Sequence, residues 1–326
     1  MKVSIVIPAL NEEKMLPKLL DSIAAQDFDD YEVIVADAHS KDQTREVARQ
    51  YGCRVVDGGL PAAGRNAGAA VAQGDFLFFL DADVILPPLF IRNVYNEMQD
   101  RYIDLATCEI RPLSDYQLDR IIHRMINLAI LYNLWIDPKA FGFCIFCTRR
   151  LYQRINGFDE TIYVAEDNDF VKRGSVHSQL RYLNSAYILV SIRRFEKEGR
   201  FAYMKKGIKL NLYRTFKGEI RNDGVVKYEF DAFNKELDPA DKNFLDKIEA
   251  QLIRAEERSM RFHHRAGQQS KKTNLKQLSP RLNEYSQVIK ALGMYMSKER
   301  WYTFYLLKLR YFFKPRSRTP RAKQGD

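Results

Sequence analysis

The stretch Phe76-Leu77-Phe78-Phe79-Leu80-Asp81-Ala82-Asp83 sets five apolar residues directly before two carboxylates with one residue between them. An apolar run of this length, without polar alternation, is the pattern of a strand buried on both faces. Sheets covered on both faces bind ligands beyond the carboxyl ends of their strands. Two hard oxygen donors at such an end suit a divalent cation, Mg²⁺ or Mn²⁺, and the phosphates it carries. Without its neighbours a D-x-D is also a solvated turn or a helix N-cap.

The segments upstream repeat the arrangement. Residues 2–8 read as a β-branched, apolar strand ended by Pro8. Asn11 is positioned to cap a helix marked by Met15, Leu16, Leu19, Leu20 and Ile23. A second strand over 31–36 runs into Asp37, His39, Ser40 and Asp42. A helix over 44–51, a short strand over 54–56 and a Gly-rich loop opening into a helix over 58–72 follow. Strands alternating with helices indicate an α/β fold: a mixed, mainly parallel sheet flanked by helices. Downstream, residues 118–135 read as an apolar helix carrying Arg120, His123 and Arg124. Strands are expected over 141–147 and 182–192, with a loop opening into an acidic helix over 157–173. A charged helix over 241–263, a polar linker at 267–272 and an aromatic-rich helical stretch over 283–313 complete the chain. The expected division is a sheet domain over 1–200 and a helical, basic extension over 201–326.

Composition narrows the class. With 46% hydrophobic and 29% charged residues among 326, the chain is globular rather than disordered or fibrous. Four cysteines are too few for a disulfide scaffold, and Cys144-x-x-Cys147 reads as a buried free pair rather than a zinc site. No run of about 18 apolar residues suggests a spanning helix. Met1 to Ala9 leads straight into Asn11, Glu12 and Glu13, so no signal peptide is read and a cytoplasmic protein is expected. Of the 52 basic and 42 acidic residues, 17 and 3 fall in 258–326, leaving 35 and 39 elsewhere. All the excess positive charge therefore lies in the tail, where Trp301, Phe304, Tyr311, Phe312 and Phe313 alternate with Lys308, Arg310 and Lys314. This pattern is expected to meet an anionic membrane surface from the cytoplasmic side, ahead of nucleic acid; the alternative is a helix that packs its aromatics on the sheet domain.

Other clusters carry chemistry. Gly58, Gly59, Gly64 and Gly68 let backbone approach a ligand, and Arg65 between them can neutralise phosphate or clamp a base. No G-x-G-x-x-G follows the first strand, and no P-loop is present. In Glu166-Asp167-Asn168-Asp169, Asp167 can take a proton from a hydroxyl nucleophile; the plain alternative is acidic first-turn residues favoured by the helix dipole. Arg193-Arg194 at a strand end can meet phosphate. His177 follows the acidic helix and is the histidine expected nearest the site.

Taken in order, these blocks resemble the family 2 glycosyltransferases of the GT-A fold. The resemblance runs from about Val3 to Arg200. It rests on Val3-Ser4-Ile5-Val6-Ile7-Pro8-Ala9-Leu10-Asn11-Glu12-Glu13, the Gly64–Gly68 loop, Leu80-Asp81-Ala82-Asp83, Asn156-Gly157-Phe158-Asp159-Glu160 and Glu166-Asp167-Asn168-Asp169. Arg193-Arg194-Phe195-Glu196 with Gly199 resembles a further block of some bacterial members. It implies a nucleotide-sugar donor and a hydroxyl acceptor, lipid-linked among the options. Pro8, Leu10, Glu12, Asp37, Arg65, Asp81 and Ala82 would line the donor site, with Asp37 on the base. Asp83 and Asp81 would hold Mg²⁺ or Mn²⁺ and the diphosphate, and Asp167 would be the general base of an inverting transfer. The family's Asp-Asp-Gly-Ser is here Ala36-Asp37-Ala38-His39-Ser40, and an aromatic common at position 10 is leucine. These departures leave the nucleotide unassigned.

Two other classes compete. A nucleotidyltransferase shares a similar sheet, but its usual Gly-rich loop after the first strand is replaced by Pro8–Glu13. A degenerate transferase domain serving as a nucleic-acid- or membrane-binding module is disfavoured by the intact Asp81, Asp83 and Asp167.

Overall fold

The computed structural model describes residues 1–134, 137–198, 200, 210, 213–214, 219–221, 246 and 249–261. The chain divides into two compact units, Met1–Leu245 and Asp246–Asp326. In the second, residues 249–261 are helical. The expected linker at 267–272, the stretch over 283–313 and Trp135 lie outside the described residues.

The first unit is built on an eight-stranded sheet. Its strands are β1 (Val3–Ala9), β2 (Tyr31–Asp37), β3 (Arg54–Asp57), β4 (Phe76–Phe79), β5 (Val84–Ile85), β6 (Leu105–Pro112), β7 (Ile145–Thr148) and β8 (Arg181–Val190). The spatial order is β3-β2-β1-β4-β7-β6-β8-β5. The β3-β2-β1-β4 half is parallel throughout. Strand β7 runs antiparallel to both β4 and β6, and β8 is parallel to β6. Helices α1 (Leu16–Ala24), α2 (Thr44–Gln50), α3 (Pro61–Val71), α4 (Phe90–Asp100), α5 (Gln117–Asn133), α6 (Arg149–Arg154), α7 (Glu166–His177) and α8 (Arg193–Glu198) complete the unit. Ile5, Ile7, Leu16, Leu19, Phe78, Phe90 and Phe146 are buried in one continuous core. This is the α/β, mainly parallel architecture expected.

Several local expectations are corrected. Asn11 does not cap α1, which begins at Leu16 without a side-chain cap and with proline in its first turn. Asn11 instead takes a positive φ of 54°, and its Oδ1 accepts from the Lys41 N–H at 2.8 Å, latching the β1 and β2 loops together. Asparagine tolerates this left-handed conformation because its short amide bonds locally. Gly64–Gly68 is not a loop but part of α3. Its glycines serve helix–sheet packing: a Cβ on Gly64 would lie 3.1 Å from Pro8 Cβ, and one on Gly68 would collide with Val6 Cγ1. Strand β7 is shorter than expected, because residues 141–144 turn back through Cys144 N–H to Phe141 O at 3.0 Å. Cys144 and Cys147 are buried free thiols, as read. Helices α4, α6 and α8 and strands β5 and β6 go beyond the expected elements, and Arg193-Arg194 opens α8 rather than ending a strand, since β8 stops at Val190.

Candidate active site

The loops after β1, β2, β4 and β8 meet at the carboxyl ends of the strands with the head of α7. Leu80 N–H gives the last bond of β4 to β1, at Val6 O, so Asp81 is the first residue beyond that pairing. The methyl of Ala82 is buried in the core, leaving Asp81 and Asp83 half-exposed on either side of it. Each aspartate is held by a different arginine.

Arg65, on α3, is only 2% exposed. Its Nη2 donates to Asp81 Oδ1 at 2.9 Å and its Nη1 to Glu166 Oε1 at 2.6 Å. A Cβ on Gly142 would collide with the guanidinium, so glycine there makes room for it. Burial works against the arginine's charge. The carboxylates of Asp81, Glu166 and Asp167 outweigh it and hold the guanidinium pKa above its ordinary value. Arg65, expected beside the nucleotide, ties the D-x-D strand end to the head of α7.

Arg193, at the start of α8, reaches the other aspartate. Its Nη2 lies 2.8 and 2.9 Å from the two Glu12 oxygens and 3.1 Å from Asp83 Oδ2. Burial raises the Asp83 pKa, with the Asp81 charge adding to it and Arg193 opposing. Burial likewise raises Glu12, again against Arg193. Neither the charge on Asp83 nor its arginine partner could be assigned from spacing, since 110 residues separate them.

Asp167 stands in the first turn of α7, after Ala165 in a left-handed conformation with φ 67°. Its Oδ2 accepts from the Gly142 N–H at 2.8 Å and its Oδ1 from the Asn168 N–H at 2.6 Å. Desolvation and the adjacent Glu166 push its pKa up to about 7, against Arg65 and those two N–H groups. A base of this pKa is matched to proton transfer near neutrality. The loop before α7 is fixed from both sides. Asn66 Oδ1 accepts from Tyr152 OH and the Phe158 N–H, and Arg173 donates to the carbonyls of Ile155 and Gly157.

Asp37 is fully buried at the end of β2. Its Oδ2 accepts from the Ser40 N–H at 3.1 Å and Arg45 Nη1 at 3.3 Å, while its Oδ1 has no partner among the described residues. A buried acceptor left open this way costs stability unless a ligand donor reaches it. Pro8 packs against α3, and Leu10 is 52% exposed beside the Asn11–Ser40 latch. His177 is exposed at the far end of α7, roughly 15 Å along the helix from Asp167 by the rise per residue. It does not belong to this cluster, because the helix points its N-terminus, not its C-terminus, at the site.

The model of the family described as Glycosyl transferase family 2 matches residues 4–154. Residues 4–154 are thus similar to a family 2 glycosyl transferase. TarS of Staphylococcus aureus, a poly(ribitol-phosphate) β-N-acetylglucosaminyltransferase, is 26% identical over 207 residues, covering 58% of this chain and 34% of that protein. A 4,4'-diaponeurosporenoate glycosyltransferase of Staphylococcus haemolyticus is 42% identical over 142 residues, covering 40% and 36%. The chain thus spans about a third of the length of these relatives. Among solved structures, mannosyltransferase PcManGT of Pyrobaculum calidifontis, in complex with GDP-Man and Mn²⁺, has a TM-score of 0.53 at 18% identity. That likeness covers 95% of this chain and 84% of the other, and shows the shared GT-A fold.

The match of the transferase family ends before α7, so Asp167 and Arg193 stand on the geometry alone. Among the described residues no three His, Cys, Asp or Glu side chains gather into a metal site. An ion held by Asp83 and Asp81 would draw its remaining ligands from phosphate oxygens and water, as Mg²⁺ commonly does. The Arg193 guanidinium already marks this place as one that accepts positive charge.

Proposed function

We propose that the chain transfers a sugar from a nucleotide-diphosphate sugar to a hydroxyl acceptor, with inversion and with Mg²⁺ or Mn²⁺. The observation that carries this reading is the Arg65 bridge from Asp81 to Glu166, which keeps the D-x-D and the Asp167 carboxylate on one site. The open Oδ1 of Asp37 would accept an N–H from the nucleotide base, with Pro8 and Leu10 along the same pocket. Asp81, Asp83 and Glu12 would face the diphosphate. When bound, the divalent ion supplies charge that stabilises the departing diphosphate. Asp167 takes the acceptor hydroxyl proton as that oxygen bonds to the anomeric carbon, and the bond to the diphosphate breaks on the opposite face. One displacement inverts the carbon. The Gly142 and Asn168 N–H groups keep Asp167 oriented through that step, while Arg65 anchors the adjacent Glu166.

The relatives named above transfer sugars to a poly(ribitol-phosphate) or a diaponeurosporenoate, which supports a sugar acceptor reaction here without naming the acceptor. The solved neighbour with GDP-Man and Mn²⁺ supports the donor and ion classes. No described helix is long and apolar enough to cross a membrane. The basic tail, described only over 258–261, supports a peripheral seat on an anionic cytoplasmic surface through its sequence alone. A hydrolysis screen of UDP-, GDP- and dTDP-sugars with Mn²⁺ tests the reading. Release of one nucleoside diphosphate is expected; release of none from any donor counts against it.

A further inference from the structure

Arg193 bonds two donor-site carboxylates from different loops, Glu12 after β1 and Asp83 after β4, and the charge of the adjacent Arg194 acts on both as well. All three of those bonds come from Nη2, while Nε is buried without a partner among the described residues. The guanidinium therefore uses little of its five-donor fork and sits where a cation would have to enter. The segment around it is anchored elsewhere. Ser191 N–H bonds Asp83 O at 3.1 Å, and Phe195 packs with Leu118 and Ile122, its ring 5.4 Å from that of His123. Arg200 forms a two-bond pair with buried Asp119 at 2.6 and 2.9 Å. With its flanks fixed on the Asp83 backbone and on α5, the Arg193 side chain can change partners while its backbone stays in place.

We propose that Arg193 is a placeholder for the divalent cation, and that it moves from Glu12 and Asp83 onto the donor diphosphate when the ion binds. This rests on the donor reading above. Two positive charges cannot share Asp83 without mutual repulsion, so ion entry expels the guanidinium. The phosphate oxygens that arrive with the ion match its planar fork better than the edge contact it leaves. Between turnovers the same arginine compensates the half-buried carboxylates and keeps the donor loops closed.

Two titrations of the full-length protein test this. The first follows free Mn²⁺ by electron paramagnetic resonance without nucleotide, for wild type, Arg193→Gln and Arg193→Lys. Removing the resident charge should tighten Mn²⁺ binding about fivefold in Arg193→Gln, a modest gain because the pair is partly exposed. Arg193→Lys keeps the charge and should stay near wild type, which also separates the effect from misfolding. The second titrates UDP and GDP at saturating Mn²⁺, where Arg193→Gln should bind about tenfold more weakly through loss of a charged phosphate contact. Arg193→Gln binding Mn²⁺ no more tightly than wild type overturns the placeholder, whatever the nucleotide does. Unchanged nucleotide affinity in that variant overturns the move onto the diphosphate. Wild type that binds no nucleoside diphosphate with Mn²⁺ brings down the donor reading instead, and the Mn²⁺ titration still decides the placeholder.

Discussion

Replacing Arg65 by Met keeps most of the side-chain volume and removes the charge that joins α3, the D-x-D and α7. The Arg65 side chain is 3% exposed, that of Glu166 10% and that of Asp81 28%. Breaking a buried pair from one side leaves an uncompensated charge, at about 3–5 kcal/mol. The better-solvated Asp81 adds less, about 1 kcal/mol or below. The guanidinium also lies 5.4 Å from the Phe158 ring, a contact worth about 0.5–2 kcal/mol that overlaps with the ion-pair loss. The expected deficit is therefore about 3–5 kcal/mol out of a typical domain stability of about 5–15. Urea unfolding at pH 8 measures it. Adding Glu166→Gln to Arg65→Met should recover stability, although Glu166→Gln alone destabilises. A double-mutant coupling of about 1–3 kcal/mol is expected. A single-variant loss under about 1 kcal/mol, or additive effects of the two changes, would refute the bridge.

Asp167→Asn should retain donor binding and lose turnover by about 10²-fold or more; in the wild type, kcat/KM should rise with pH through about 7, a limb that the variant lacks. Because the folded pKa of Asp167 is raised, its protonated form stabilises the fold at low pH and that contribution disappears as pH rises through 7. Asp167→Asn should thus match wild type at pH 4 and exceed it at pH 8 by about 1 kcal/mol or more, read by urea midpoints. Gly68→Ala should destabilise by about 1–3 kcal/mol, since the new methyl collides with buried Val6; an intrinsic helix gain of about 1 kcal/mol does not offset that, and a stabilised variant would contradict the tight α3–β1 packing. Full-length protein should float with anionic liposomes at low salt, and a chain ending near Ser279 should not; equal behaviour of the two would remove the tail from membrane binding.

The strand–helix alternation was legible because apolar runs such as Val3–Ile7 and Phe76–Leu80 are buried on both faces and carry no competing period. The D-x-D was legible because it abuts such a run. Helix α4 carries a signal of its own: Phe90, Ile91, Val94, Tyr95 and Met98 recur at helical spacing and are all buried. The antiparallel insertion of β7 between β4 and β6 could not be read, since it depends on pairings such as Phe78 with Phe146 across 68 residues. Nor could the partners of the site carboxylates. Composition marks Arg65 and Arg193 as phosphate-seeking cations, but only the fold shows one buried between Asp81 and Glu166 and the other resting on Glu12 and Asp83. Small residues misled in the same way: Gly64 and Gly68 invite a ligand on paper, whereas β1 fills the space they leave.

The central claim is that the Asp81–Asp83 end holds the donor while Asp167 acts on the acceptor. Calorimetric titration of the nucleoside diphosphate, with Mn²⁺, into wild type, Asp83→Asn and Asp167→Asn tests that division in one measurement. The account predicts matching affinity for wild type and Asp167→Asn, and loss of Mn²⁺-dependent binding in a folded Asp83→Asn. Undiminished Mn²⁺-dependent binding in Asp83→Asn, or its loss in Asp167→Asn, would contradict it.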